Sequence, residues 1–332
     1  MKAMLSTAPG GPATLTSSDI PAPLPGPGEV RVRVRACGVN YPDTLIIEDK
    51  YQFRPPRPFA PGGEVAGEID LLGAGVTDFA VGDRVIALCT WGGMAEQVVV
   101  KAGKCLAMPP TMPFDEAATL VLTYGTSYHA LKQRGRLEPG ETLLVLGAAG
   151  GVGLAAVELG RAMGARVVAA VSSAEKLALA RARGAESGVI YPPGPFDKDG
   201  AKALAVLFKD ACGPDGANLV YDAVGGDYAE ASLRAIAWAG RFLVVGFPAG
   251  IPRIPLNLVL LKGCQIVGIF WGSWTEREPQ AHAENNRELL EFYARGQVKP
   301  HISARYPLAA AGQAIADLAA RRALGKIVVM VD

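Results

Sequence analysis

The sequence predicts an α/β protein with two domains, of which the first is rich in β-strands and the second is a doubly wound parallel sheet. The chain has 332 residues, of which 50% are hydrophobic and 20% are charged, and this length and composition are typical of two folded domains. Residues 26 to 100 show short strand patterns separated by glycine turns, whereas residues 123 to 272 alternate apolar strand runs with helical patterns.

Charge and composition exclude several classes of function. The 33 basic and 32 acidic side chains leave a formal net charge of +1, and no basic run gives the electrostatic signature of a nucleic-acid binder. We therefore expect a small-molecule ligand. The first residues lack the apolar core of a signal peptide and no apolar run is long enough for a membrane span, so a cytoplasmic protein is expected. Five scattered cysteines fit reduced thiols.

The strand patterns of the first domain begin at residues 29–35, where Val and Arg alternate with the period of two that is typical of a half-buried strand. Glycine turns then recur, among them Gly62-Gly63 and Gly92-Gly93, at spacings of about 8 to 12 residues. Such spacing is typical of a compact β-barrel or sandwich.

The strands of the second domain are continuous runs of Val, Leu and Ile, which indicate a parallel sheet buried on both faces by helices. They fall at residues 142–146, 166–171, 218–222, 241–246 and 265–270. Helical patterns follow at 285–295 and 309–320, and a last strand at 327–331. Because that strand comes after the βα repeats, we expect it to rejoin the β-rich first domain.

The most informative segment, residues 142–153, is a strand that runs into a glycine turn and then a helix. A helix N-terminus presents free N–H groups and a positive dipole end, which suit a pyrophosphate. Gly150 allows close backbone approach and Gly153 tight helix–sheet packing, whereas Ala148 replaces the first glycine of the Gly-x-Gly-x-x-Gly fingerprint. The segment indicates a dinucleotide site, with a purely structural packing turn as the alternative.

The end of the second strand of this domain favours one dinucleotide over the other. An NAD-preferring domain has an acidic residue there for the ribose 2′-hydroxyl, whereas this chain continues with Ser172-Ser173-Ala174-Glu175-Lys176. Hydroxyls and a cation at a helix start suit a 2′-phosphate, so we predict NADPH as the cofactor. The alternative is that Ser172 and Glu175 form a capping box and that Lys176 is a solvated surface charge.

Further motifs are spread over nearly the whole chain, at residues 36–43, 50–52, 58–67, 82–85 and 322–326. With these motifs and the glycine turn, the chain resembles the medium-chain dehydrogenase/reductase superfamily, and within it the zinc-independent NADPH:quinone oxidoreductases (zeta-crystallin-like). The resemblance implies a GroES-like catalytic domain formed by residues 1–122 and 273–332, a Rossmann NADPH-binding domain formed by residues 123–272, and a cleft between them.

The resemblance also carries cofactor-binding roles onto ten residues: Thr126, Gly150, Gly151, Val152, Ser172, Lys176, Tyr191, Gly246, Phe247 and Arg322. Among these, Tyr191 and Arg322 are expected to complete a 2′-phosphate pocket with Lys176. The aromatic residues Phe247 and 270–271 are expected either to line the nicotinamide pocket or to pack in the core.

The same resemblance bears on metal binding. Zinc alcohol dehydrogenases of the superfamily have ligands at two positions where this chain has Asn40 and Gly63. A catalytic zinc needs about three protein ligands and an open site, and the chain's histidines have no ligand spacing: His129, His282 and His301. We therefore expect a protein that works without metal, and three histidines that are surface or packed residues.

By the resemblance, Asn40, Asp43 and Tyr51 are the polar groups of the catalytic site. Without a metal, NADPH would deliver a hydride to a quinone or conjugated carbonyl that the protein has to align. Asn40 or Tyr51 would donate a hydrogen bond to the carbonyl oxygen that gains charge, and Asp43 would orient its neighbours. The alternative for all three is a structural role in turns and packing.

Three functions compete at this point. The leading prediction is an NADPH:quinone oxidoreductase, but a reductase of conjugated C=C bonds in alkenals, enones or enoyl-CoA needs the same hydride geometry. A non-catalytic NADPH-binding protein, structural or RNA-associated, is the third, although the near-zero net charge disfavours nucleic acid. The family usually dimerises through its cofactor domains, and the apolar run at residues 265–270 predicts a homodimer formed at a sheet edge.

Overall fold

The computed structural model describes all 332 residues, which form two compact units. The first unit comprises Met1–Leu122 and Lys299–Asp332, and the second comprises Thr123–Val298. Each unit has its own hydrophobic core. None of the helices combines the length and the apolar character that a membrane span requires.

The chain forms fifteen strands. In chain order the strands are β1 (Lys2–Leu5), β2 (Thr16–Asp19), β3 (Glu29–Val39), β4 (Glu64–Leu72), β5 (Arg84–Leu88), β6 (Gln97–Lys101), β7 (Cys105–Ala107), β8 (Thr142–Leu146), β9 (Arg166–Val171), β10 (Ser187–Ile190), β11 (Ala217–Asp222), β12 (Ile236–Val244), β13 (Gln265–Gly268), β14 (Ile302–Pro307) and β15 (Lys326–Met330).

Eleven α-helices complete the regular structure: α1 (Tyr41–Ile46), α2 (Phe114–Ala117), α3 (Val121–His129), α4 (Gly151–Ala162), α5 (Ala174–Ala182), α6 (Lys198–Cys212), α7 (Asp227–Arg234), α8 (Leu256–Lys262), α9 (Trp271–Arg277), α10 (Pro279–Ala294) and α11 (Ala311–Ala319). A π-helical segment, Ala130–Arg134, continues α3. Short 3-10 turns lie at Pro12–Thr14, Ala102–Lys104 and Leu308–Ala310.

The long strand β3 is the centre of the first unit. It lies in a seven-stranded sheet of order β14-β15-β3-β4-β5-β7, and β6 also pairs with it. Val30, Val32 and Val34 are at most 1% exposed, whereas Arg33 is exposed, so the predicted alternation is confirmed. The prediction that the last strand rejoins the first domain is also confirmed, because β15 pairs with β3.

The second unit contains the predicted doubly wound sheet. Its six strands are all parallel in the order β10-β9-β8-β11-β12-β13, so the winding direction reverses between β8 and β11. Residues 143–146 of β8 are fully buried, as expected for a strand covered on both faces. The sequence does not predict β10, because this edge strand is only partly buried and starts with Ser187 and Gly188 instead of an apolar run.

The chain returns to the first unit later than the sequence predicts, at Lys299 instead of residue 273. The reason is the packing of α10 on the end of α3 and its π-helical continuation. Gln133 Nε2 donates a hydrogen bond to Asn285 Oδ1 over 2.8 Å, and the Tyr128 hydroxyl donates to Glu288 Oε2 over 2.8 Å. These contacts keep residues 273–298 in the second unit.

A glycine-to-alanine pair tests the close approach of α4 to the turn after β8. A Cβ on Gly153 would lie 2.1 Å from the carbonyl oxygen of Gly147, so Gly153→Ala should lower the free energy of unfolding by about 1–3 kcal/mol in urea titrations. Gly272→Ala is the matched control, because Gly272 also lies in the first turn of a helix and nothing surrounds its Cβ position within 4 Å. Equal losses in both variants would contradict the close-approach argument.

Candidate functional site

The predicted glycine turn joins β8 to α4 at the carboxyl edge of the parallel sheet. Gly147 has a φ of +69°, which favours glycine, and its carbonyl oxygen accepts the N–H of Gly150 over 2.9 Å. Gly150 is the N-cap of α4 and offers no side-chain cap. The first-turn N–H groups of Gly151 and Val152 therefore have no partner within the helix. This bare, dipole-positive helix start fits the pyrophosphate of a dinucleotide.

The end of β9 has the predicted cation and hydroxyl. Lys176 Nζ donates a hydrogen bond to Ser172 Oγ over 2.9 Å at the surface. The N-cap of α5 is Ser173, whose Oγ accepts the backbone N–H of Lys176 over 3.3 Å, so the alternative of a capping box beginning at Ser172 is wrong by one residue. Ser172 is therefore not used as a cap, and with Lys176 it presents a hydroxyl and a charge that suit an anion.

Other predicted cofactor residues follow neighbouring strands or lie on α3, as Thr126 does. Tyr191 directly follows β10 and is 8% exposed, with its ring centroid 4.8 Å from that of Tyr228. Gly246 and Phe247 follow β12. Because parallel strands end at one edge of a sheet, these segments and the glycine turn lie at the same edge, where α/β sheets bind ligands.

The aromatic residues near this edge divide into two kinds. Trp271 is 8% exposed and packs so closely on α3 that a Cβ on Gly125 would lie 2.9 Å from its indole ring. Phe247 and Phe270 are 42% and 53% exposed. Trp271 is thus a packing residue, whereas the two phenylalanine rings are open to a ligand.

Arg322 lies in the first unit, between α11 and β15. Its Nε donates a hydrogen bond to Asp317 Oδ1 over 3.1 Å, and its side chain is 65% exposed. An exposed pair of this kind contributes little to stability, so the guanidinium can exchange Asp317 for another anion. The role of Arg322 in a 2′-phosphate pocket stays a prediction.

In the first unit, three neighbouring strands bring a polar cluster together. Glu64 opens β4 and Lys326 opens β15, the two strands that flank β3, and Asn40 directly follows β3. Asp43, in the first turn of α1, completes the cluster. All four side chains are buried, so each needs a polar partner within the protein.

Asn40 is the bridge of this cluster. Its Oδ1 accepts a hydrogen bond from Lys326 Nζ, and its Nδ2 donates to the Gly38 carbonyl oxygen over 3.2 Å and to Glu64 Oε2 over 3.4 Å. Its backbone N–H donates to Asp43 Oδ2 over 2.8 Å. Both polar atoms of the Asn40 side chain are therefore engaged within the protein.

Burial sets the charge state of the cluster. It raises the pKa of Asp43 to about 6, against the lowering effect of the backbone N–H groups of Asn40 and Gly62. It raises the pKa of Glu64 to about 7, against the nearby charge of Lys326 and the backbone N–H of Leu122. Burial also lowers the pKa of Lys326, while both carboxylates raise it. Burial thus favours the neutral form of each group, whereas the attraction between the two carboxylates and the ammonium favours the charged forms.

Tyr51 lies half-buried at the margin of the same core. Burial and the charge of Asp43 raise its pKa, so the phenol is protonated at neutral pH. Its ring contacts Phe53 edge-on, at 5.8 Å between centroids, and its hydroxyl makes no hydrogen bond within the protein. Among the three predicted catalytic residues, Tyr51 is the one with a free donor.

The predicted catalytic set lacks Glu64 and Lys326, although both lie in motifs that support the family resemblance. Lys326 opens a run of apolar residues in a buried strand, and a charge in that position needs a buried partner. That pattern was the available signal. The sequence does not identify the partner, because Lys326 and Asn40 are 286 residues apart.

His129 and His282 pack against tryptophan rings, and no metal-ligand group is present. His129 is 2% exposed and stacks on Trp274 at 4.1 Å between centroids, and His282 lies edge-on to Trp271 at 5.5 Å. Burial lowers the pKa of both histidines to about 4, so both rings are neutral. No three or more His, Cys, Asp or Glu side chains lie together in a way that could hold a metal ion.

Two protein-family models match the chain. The alcohol dehydrogenase GroES-like domain matches residues 26–110, and the zinc-binding dehydrogenase matches residues 151–287. The quinone oxidoreductase-like protein 2 homolog of Nematostella vectensis is 39% identical over 298 residues, which cover 89% of this chain and 79% of that protein. The quinone oxidoreductase of Pseudomonas aeruginosa is 35% identical over 324 residues, 97% of each chain.

Solved quinone oxidoreductases share the fold. That of Escherichia coli, complexed with NADPH, has 27% identity and a TM-score of 0.90, covering 99% of this chain and 100% of its own. That of Thermus thermophilus, solved alone and with NADPH, has 36% identity and a TM-score of 0.82, with the same coverage. These similarities confirm the predicted GroES-like and Rossmann folds, and the chain belongs to the quinone oxidoreductase family of the medium-chain dehydrogenase/reductase superfamily.

Proposed function

We propose that this protein is an NADPH-dependent oxidoreductase that transfers a hydride to a quinone without a metal ion. The observation that carries the proposal is the buried cluster around Asn40, together with the Tyr51 phenol, which makes no hydrogen bond within the protein. Burial and the charge of Asp43 raise the pKa of that phenol. Relatives of the chain are named quinone oxidoreductases. Asn40 and Gly63 stand where zinc relatives have ligands, so the acceptor is one that accepts hydride without a Lewis acid.

Residues of the first unit are proposed to bind and orient the acceptor. When bound, NADPH supplies the hydride, which together with a proton reduces a quinone to a hydroquinone and leaves NADP⁺. The Tyr51 hydroxyl donates a hydrogen bond to the carbonyl oxygen that gains negative charge. Asp43 orients the site by accepting the backbone N–H groups of Asn40 and Gly62 over 2.8 and 3.0 Å.

The residues of the second unit bind the cofactor. The helix start at residues 150–152 takes the pyrophosphate, and Ser172 with Lys176 takes the 2′-phosphate. Thr126, Gly246 and the exposed ring of Phe247 contact the rest of the dinucleotide. Tyr191 is proposed to complete the phosphate pocket.

The acceptor class is tested by initial rates of NADPH oxidation under anaerobic conditions. The panel contains ortho- and para-quinones, alkenals and enoyl-CoA esters, and we expect quinones to be turned over fastest because they accept hydride without metal activation. Faster turnover of alkenals or thioesters would assign a C=C reductase instead. Tight NADPH binding with no turnover of any acceptor would favour a non-catalytic NADPH-binding protein.

Substitutions at Tyr51 and Asn40 test whether these residues contribute to the rate of quinone reduction. Tyr51→Phe removes the free donor, so its kcat with the best quinone should fall about 100-fold if the phenol stabilises the developing charge. The Kd for NADPH, measured by fluorescence titration, should stay at the wild-type value. Unchanged turnover in Asn40→Ala/Tyr51→Phe would refute the assignment of the catalytic residues.

Cofactor preference is tested at the end of β9. Lys176→Met removes the cation that pairs with the 2′-phosphate, so the Kd for NADPH should rise about tenfold or more while the Kd for NADH stays unchanged. Lys209→Met is the matched control, because Lys209 is an exposed lysine on α6 of the same unit. A parallel change in both Kd values would show that Lys176 does not recognise the 2′-phosphate.

We also propose a homodimer formed through β13, an edge strand of the second unit. Edge strands present unpaired N–H and C=O groups, and exposed apolar side chains lie on β13 and on neighbouring segments: Ile266 at 40%, Trp238 at 76% and Leu260 at 77% exposure. A second copy is the occupant that matches both the strand edge and this apolar surface.

Light scattering after gel filtration tests the dimer. The wild type should have twice the chain mass of 34.6 kDa, and Ile266→Asp should be monomeric because it places a charge in the interface. Ile190→Asp is the matched control, since Ile190 is 44% exposed on β10 at the opposite edge of the same sheet. A monomeric wild type, or dissociation by both variants, would contradict an interface at β13.

A further inference from the structure

Lys326 is a buried cation that bonds to neutral oxygens. Its Nζ donates to the Val39 carbonyl oxygen over 3.0 Å and to Asn40 Oδ1, and its side chain is among the buried polar groups of the first unit. Glu64 and Asp43 influence its charge through space, but neither forms an ion pair with it. A lysine that only balanced Glu64 would be expected to pair with that carboxylate directly.

The amide of Asn40 contacts groups of opposite charge through its oxygen and its nitrogen. Its oxygen accepts from the ammonium of Lys326, and its Nδ2 donates to Glu64 Oε2 over 3.4 Å. Rotating the amide by half a turn would place its NH₂ group against the ammonium and its oxygen against the carboxylate. Both contacts would then be repulsive in a buried site, where electrostatic interactions are strong. The amide therefore has one stable orientation.

We infer that Lys326 is a positioning residue whose ammonium, with the Glu64 carboxylate on the far side, locks the Asn40 side chain in one orientation. The kinetic consequence rests on the proposed function, since Asn40 lies at the end of β3 in the site proposed for the acceptor. Loss of the lock would misplace groups that align the acceptor, and small misplacements slow hydride transfer strongly. The lock itself is a property of the first unit and exists whatever the acceptor.

The variants are compared within a Glu64→Gln background, because that change removes the carboxylate that Lys326→Met would otherwise leave without its cation. Glutamine still has an oxygen for the backbone N–H of Leu122, which Glu64 accepts over 2.8 Å. The set consists of E64Q, E64Q/K326M, E64Q/N40A and E64Q/N40A/K326M. Urea unfolding shows that each variant is folded before any other property is compared.

The orientation lock is measured directly by hydrogen exchange. The chain has five asparagines, so selective ¹⁵N labelling of asparagine side chains gives a simple spectrum in which Asn40 is identified by its loss in N40A. We expect the Asn40 side-chain N–H groups to exchange at least about tenfold faster in E64Q/K326M than in E64Q, because one side of the amide loses its partner. Equal exchange rates would overturn the inference, and this readout needs no turnover.

Kinetics then separate positioning from charge balance. In the E64Q background, K326M and N40A should each lower kcat about tenfold, with the Kd for NADPH unchanged. The triple variant should be no slower than E64Q/N40A, because both changes act through one amide. Wild-type kcat in E64Q/K326M, or losses that multiply in the triple variant, would overturn the inference. If the wild type reduces no acceptor, the proposed function fails while the exchange result still decides the role of Lys326.

Discussion

The burial of one lysine and two carboxyl groups beside β3 is the constraint on which the first unit depends. An uncompensated buried charge costs about 3–5 kcal/mol, so the segments that carry Asp43, Glu64 and Lys326 must stay together. These segments are the start of α1, the start of β4 and the start of β15. The last of them comes from the far end of the chain, and its charge joins that end to the first strands of the fold.

In the second unit, the corresponding constraint is a close backbone contact between a turn and a helix. The turn after β8 and the first turn of α4 approach so closely that Gly153 has no room for a side chain above Gly147. A pyrophosphate bound at this turn, as proposed, would therefore contact main-chain N–H groups, whose position the sheet and helix determine. The neighbouring strand end, with Ser172 and Lys176, adds the side chains proposed to distinguish one dinucleotide from the other.

The sequence predicts those parts of the fold that local pattern determines. β8 and β9 have the predicted bounds, because continuous apolar runs ending in polar residues mark strands buried on both faces. β10 is missed because an edge strand needs no such run. The position of the chain's return depends on contacts of α10 with α3 and its π-helical continuation, such as Asn285 with Gln133. No local pattern predicts a contact between residues 152 positions apart.

For single side chains of the candidate site, too, the sequence does not predict which residues contact each other. Motif resemblance selects Asn40 and Tyr51 equally as hydrogen-bond donors, because it identifies residue types and positions without their partners. The structure separates them: the Asn40 amide is engaged by Lys326, Gly38 and Glu64, while the Tyr51 hydroxyl has no partner.

A donor that already has acceptors must give one up to bind a substrate, whereas a free hydroxyl near a half-buried surface exchanges only water. We therefore propose Tyr51, with its free hydroxyl, as the residue that contacts the acceptor. In the same proposal Asn40 keeps the shape of the site, since its amide is engaged by Lys326, Gly38 and Glu64.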